Sequence, residues 1–143
     1  MILQDAADRR MALAVHWLSA TQINAKLGEL SLSGRCTASR LRRDGELLGA
    51  YVMQPAPGYR YPPWQLSSDG WPVDFLWEIL KVLRSDGPFS CKQGDLHRST
   101  GWGEIEWFLS GHALLDGISP AMALGIDPTL VLRAARIEFE SDV

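Results

Sequence analysis

The sequence predicts a mainly α protein with a small β-hairpin, a winged helix-turn-helix followed by a short C-terminal helical bundle. Three observations carry this. Apolar residues recur at spacings of three and four along several short segments, the period of a helix with one buried face. β-leaning residues gather on either side of the turn-forming run Gln54-Pro55-Ala56-Pro57-Gly58. Two proline-led starts, Ser119-Pro120 and Asp127-Pro128, put a capping oxygen before a proline at the first helical position.

Taken in order, residues 6–17 read as a helix, with Met11, Leu13, Ala14, Trp17 and Leu18 on the repeating face. Ser19 caps a short second helix over 21–27, in which Ile23 and Leu27 point inward and Gly28 is the left-handed stop. A polar turn over 29–34 leads to a helix over 35–43 that ends at Asp44-Gly45. Its apolar members are Ala38 and Leu41. Strands over 47–53 and 59–61 form the hairpin, Pro62-Pro63 stops it, and Trp64 packs as an anchor. Ser67-Ser68-Asp69-Gly70 reads as a linker. Beyond it, 73–84 places Phe75, Leu76, Ile79, Leu80 and Leu83 on one helical face. The stretch 87–100 is irregular. A helix over 104–109 carries Ile105, Trp107, Phe108 and Leu109. A short helix over 121–124 and a final one over 129–139 follow, the last with Val131, Leu132 and Ala135 inward. The chain thus divides into a helix-turn-helix with its wing, 1–66, and a helical partner-binding part, 67–143.

Length and composition set the bounds. With 143 residues, 46% hydrophobic and 22% charged, the chain has the balance of a soluble globular protein. A chain this size buries roughly two thirds of its unfolded surface and needs no staples. No apolar run approaches the ~18 residues of a membrane span. The first ten residues lack the apolar core of a signal peptide. Cys36 and Cys91 stand far apart without a CxxC pattern, as two plain thiols of a reducing cytoplasm.

Net charge is −3, but it is unevenly spread. Residues 1–64 hold 8 Lys+Arg against 5 Asp+Glu, net +3; residues 65–143 hold 6 against 12, net −6. Local fields rather than net charge steer a polyanion. The helix over 35–43 is therefore the candidate reader of duplex DNA. Arg35, Arg40, Arg42 and Arg43 can reach guanine acceptors or phosphates, and Thr37 and Ser39 can contact bases or phosphates. Arg60, between Tyr59 and Tyr61, is the candidate wing contact. The bland alternative is a solvated helix face. Six residues separate Gly28 from Arg35, where a tight turn needs three or four.

Catalytic patterns are weak, and no enzyme, cofactor or metal is expected. His16, His97 and His112 lack metal-ligand spacing. His97 with Ser99 or Cys91 has no elbow or oxyanion motif beside it. Glu104 and Glu106, two apart, do not share a helical face. There is no phosphate loop. Of the six tryptophans, Trp17, Trp64, Trp77 and Trp107 read as core; Trp71 and Trp102 lie near turns, as anchors or partial core.

The last 40 residues carry a resemblance. Trp107-Phe108-Leu109, Leu114-Leu115-Asp116-Gly117-Ile118-Ser119-Pro120, Ala123-Leu124, Asp127-Pro128 and Val131-Leu132 are similar to the toxin-binding domain of Xre/MbcA/ParS-type antitoxins. The most specific piece is Leu115-x-Gly117-x-Ser119-Pro120. Ser110-Gly111-His112-Ala113 stands where that family usually has Asn-Pro. The front half, through Leu18-Ser19-Ala20, Arg42-Arg43-Asp44-Gly45 and Tyr59-Arg60-Tyr61-Pro62-Pro63-Trp64, resembles the subset with a MerR- or excisionase-like winged helix-turn-helix. The resemblance implies a cytoplasmic antitoxin or regulator. It implies that the front binds operator DNA and that the back binds a cognate toxin, often a RES-type one, through Trp107, Leu115, Gly117, Ser119 and Pro120. A homodimer is expected, since one short helix reads only a few base pairs. The rival reading is a protein-interaction module without DNA binding.

Overall fold

The computed structural model describes residues 2–30 (2–7 and 28–30 by backbone alone), 37–53, 56–85 and 100–140. The chain is mainly helical with a small antiparallel sheet.

Helix α1, Ile2–Ala14, ends three residues before the expected Trp17. The chain turns at Val15 and His16, and Trp17 stacks on Trp102 with ring centroids 5.7 Å apart. Strand β1, Leu18–Ser19, follows. Helix α2, Ala20–Leu30, starts on a reciprocal cap: Ser19 Oγ accepts from Gln22 N (3.2 Å), and Gln22 Oε1 accepts from Ser19 N (2.8 Å). The expected stop at Gly28 is not used, and the helix runs on to Leu30. Glycine permits a left-handed turn without imposing one.

Helix α3, Ala38–Arg43, begins later than the expected Arg35, because Thr37 takes the cap position and its Oγ1 accepts from Arg40 N at 3.2 Å. Ala38 and Leu41 pack with Ile23, Leu27, Leu47 and Tyr61 in a small core, as their spacing implied.

Strands β2, Ala50–Val52, and β3, Gly58–Tyr61, make the expected hairpin. The hairpin also gains a third strand. Leu18 pairs with Tyr61 and Ser19 with Arg60, so the sheet order is β1-β3-β2. The element order through this part of the chain is α1-β1-α2-α3-β2-β3.

The outer edge of β2 is covered from the back half. Tyr51 N donates to Thr100 O (2.8 Å), and Trp102 Nε1 donates to Tyr51 O (2.8 Å). The approach is close: a Cβ on Gly101, whose φ is +80°, would stand 1.9 Å from Gly49 O. Gln65, in the 3-10 turn Pro63–Gln65, is fully buried. Its amide accepts from Leu48 N (2.7 Å) and donates to Leu48 O (2.7 Å) and Pro62 O (3.1 Å), replacing a missing strand partner.

The expected linker at 67–70 is a locked turn. Ser67 Oγ donates to Asp69 Oδ1 and to Trp71 O, Trp71 N donates back to Asp69 Oδ1 (3.0 Å), and Leu66 bridges to Pro72. Ser67 and Trp71 thereby hold the Asp69 carboxyl below the ordinary range of aspartate. Buried residues on the two sides of residue 66 share a core. A single cluster joins Ala14, Trp17, Leu48, Ala50 and Val52 to Leu80, Ile105, Phe108, Leu124 and Val131.

Helix α4, Leu76–Ser85, lies along α7, Pro128–Glu140. Phe75, expected inside, precedes α4 at φ 68° and is exposed, and Trp77 is exposed on its outer face. Helix α5, Trp102–Leu109, buries Trp102 and Glu104; Glu104 pairs with Arg84 of α4 at 2.9 Å. A 3-10 turn, Ala113–Leu115, leads to α6, Pro120–Ile126. Both proline-led starts form as expected. Ser119 Oγ accepts from Met122 N (3.2 Å), and Asp127 Oδ1 accepts from Thr129 N (3.0 Å) and from the Thr129 hydroxyl (2.7 Å).

Candidate nucleic-acid interface

Two local bonds set how α3 stands on α2. Thr37 caps α3 from its own first turn. Asn24 of α2 reaches across, its Oδ1 accepting from Ala38 N at 2.7 Å. The start of α3 is thus tied directly to α2. Nothing local in the sequence marks Asn24, because the bond spans 14 residues.

The arginines of α3 divide into two groups. Arg40 and Arg43 are exposed. Arg40 makes one surface contact with Asp44 (3.9 Å, i to i+4), and Arg43 Nε donates to Ser39 O (3.3 Å). Surface pairs of this kind are worth little and are readily exchanged for another anion. Ser39 is exposed between them.

Arg42 is placed differently. Its Cζ lies 3.7 Å from the centroid of the Tyr59 ring, and its Nε is buried with no hydrogen-bond partner among the described residues. Its guanidinium also lies beside the Tyr61 side chain. Burial raises the Tyr61 pKa, and the neighbouring Arg42 guanidinium draws it partly back. A Cβ on Gly49 would come 2.9 Å from Tyr61 Cε1 and 3.0 Å from Arg42 Cδ, so glycine makes room for this clasp. Arg42 and Tyr59 therefore fasten α3 to the wing instead of facing a groove, and Thr37 spends its hydroxyl on the cap.

Arg60 stands apart from α3. Side chains alternate along a strand, and directly paired residues share a face. Arg60 pairs with Ser19 and Ala50, and Ala50 belongs to the large core, whereas Tyr59 and Tyr61 face α3. Arg60 is thus on the opposite face of the sheet. Arg35 lies outside the described residues, as do Cys36, Cys91, His97 and Ser99.

At the back, the expected partner residues build a loop. Leu115 and Pro120 are buried, Ser119 caps α6, and Gly117 takes φ +86°. Trp107 Nε1 donates to Glu138 Oε1 (2.9 Å), and the same oxygen lies 2.7 Å from His112 Nε2. His112 Nδ1 accepts from Leu114 N (3.1 Å), so Nε2 carries the proton given to Glu138. What this frame presents outward was not signalled by the motif: Met122 is 63% and Ile126 69% exposed, with Leu114 and Leu130 also exposed.

Compared with known proteins, the chain matches no family model, no curated protein and no solved structure. Among the described residues no three His, Cys, Asp or Glu gather to hold a metal, and no helix is long and apolar enough to cross a membrane. Glu104 and Glu106 each face an arginine, Arg84 and Arg10.

Proposed function

We propose that the protein is a DNA-binding regulator that reads duplex DNA with α3 and binds a partner protein through the surface of α6 and the start of α7. The observation that carries this is the sheet order β1-β3-β2 set behind an α2–α3 corner, with Ser39, Arg40 and Arg43 exposed on α3. A six-residue helix is about 9 Å long and spans only a few base pairs, which favours a homodimer on two half-sites. Arg42, Tyr59, Thr37 and Asn24 act as positioning residues. The partner surface comprises Met122, Ile126 and Leu130, held by the Leu115–Pro120 frame; the resemblance to antitoxins supports a toxin as that partner. The test is a mobility shift on random duplex at low salt. The wild type retards the duplex, and the Arg40→Ala/Arg43→Ala variant needs a clearly higher protein concentration to do so.

The second reading, a protein-interaction module without DNA binding, is favoured by the hairpin tip. Its described residues, Ala56 and Pro57, carry no positive charge. No retardation by the wild type at low salt selects that reading.

A further inference from the structure

We propose that a cleft of about 540 Å³, between the 67–72 turn and the α6–α7 corner, binds a small organic cation bearing ammonium or guanidinium groups. The volume lies within the range of small-molecule sites. Trp64 and Trp71 are among its lining residues, with Leu124 and Pro128 from the corner. Indole faces attract cations through the ring quadrupole.

The charged residues lining the cleft are Asp69 and Asp74, and no Lys, Arg or His lines it. Asp69 is held in place by Ser67 and Trp71, whose hydrogen bonds keep its carboxyl below the ordinary aspartate range. Asp74 is exposed, with no ion pair among the described residues. An anion would meet two like charges here. A neutral ligand would strip water from two carboxylates and return no charge. A cation meets complementary charge from Asp69 and Asp74 in a cleft that Trp64 and Trp71 also line. The net charge of −6 over residues 65–143 raises the local concentration of cations as well. The cleft uses none of the residues assigned above to DNA, so its occupancy stands or falls apart from that reading.

The test is a titration of the ¹⁵N-labelled full chain with agmatine, a guanidinium–ammonium dication, followed by amide and indole N–H shifts. Parallel arms use sodium chloride at matched ionic strength and uncharged N-butylurea. Saturable shifts confined to the Trp71 indole and to the amides of 67–74 and 124–128, absent from both control arms, are expected. Asp74→Asn, on an exposed side chain, should weaken agmatine by about fivefold, the scale of one solvent-exposed charge pair. Shifts that follow ionic strength, that fail to saturate, that appear equally with N-butylurea, or that survive unchanged in Asp74→Asn would overturn the proposal.

Discussion

The guanidinium of Arg42 sits over the Tyr59 ring, its Cζ 3.7 Å from the ring centroid, and ties α3 to the strand behind it. This contact sets Arg42, which holds α3, apart from Arg40 and Arg43, which stand exposed on it. Arg42→Ala should lower stability by about 1–2 kcal/mol through lost cation–π contact and packed stem. Arg42→Lys should recover only part of it, because a lysine lacks the planar group that stacks. Arg43→Ala, at an exposed site, should stay within about 0.5 kcal/mol. Urea unfolding of the three variants checks the order.

The backbone contact between Gly49 and Gly101 predicts a steric failure. Gly101→Ala would drive a methyl to 1.9 Å from Gly49 O at a φ of +80°, so the β2 edge and the start of α5 must separate. A loss of about 2–4 kcal/mol is expected by thermal melting. Gly125→Ala, with nothing within 4 Å of the new methyl, serves as the control and should change little.

Gln65 predicts the cost of a missing partner. Gln65→Leu keeps the volume but leaves Leu48 N–H and C=O buried without their bonds. A loss of about 2–4 kcal/mol is expected, measured by denaturant unfolding.

Asp127 predicts a pH dependence. The Thr129 hydroxyl and N–H hold its carboxyl below the ordinary aspartate value. A depressed carboxyl stabilises the fold above its unfolded pKa, and that stabilisation is lost as pH falls through the folded value. Asp127→Asn should therefore melt below the wild type at neutral pH. The gap should close on acidification below about pH 4, the unfolded aspartate range. Melting curves across pH 2.5–7 check the sign.

Local chemistry was legible and distant chemistry was not. Ser19, Ser119-Pro120 and Asp127-Pro128 were readable because each cap bonds backbone within three residues. The two-residue strand Leu18–Ser19 was invisible, since it exists only through pairing with Tyr61 and Arg60 some forty residues on. The arginine-rich run was readable as a basic helix, but not its split. Arg42 turns inward because two tyrosines of β3 and the bare backbone of Gly49 make a slot for it. Phe75 and Trp77 were assigned inward because periodicity was carried from Val73. The positive φ at Phe75 interrupts the helix there, and the buried face begins with Leu76. At the back, the Leu115-x-Gly117-x-Ser119-Pro120 pattern marked the loop's frame, while Met122 and Ile126 carry no pattern beyond exposure.

The most direct measurement is the salt dependence of affinity for a random-sequence duplex, comparing the wild type with Arg40→Ala/Arg43→Ala. The predicted result is a log K against log salt slope shallower by up to about 1.8 in the variant, about 0.9 for each phosphate contact removed. Identical slopes, or a wild type that leaves the duplex unbound at low salt, would contradict it.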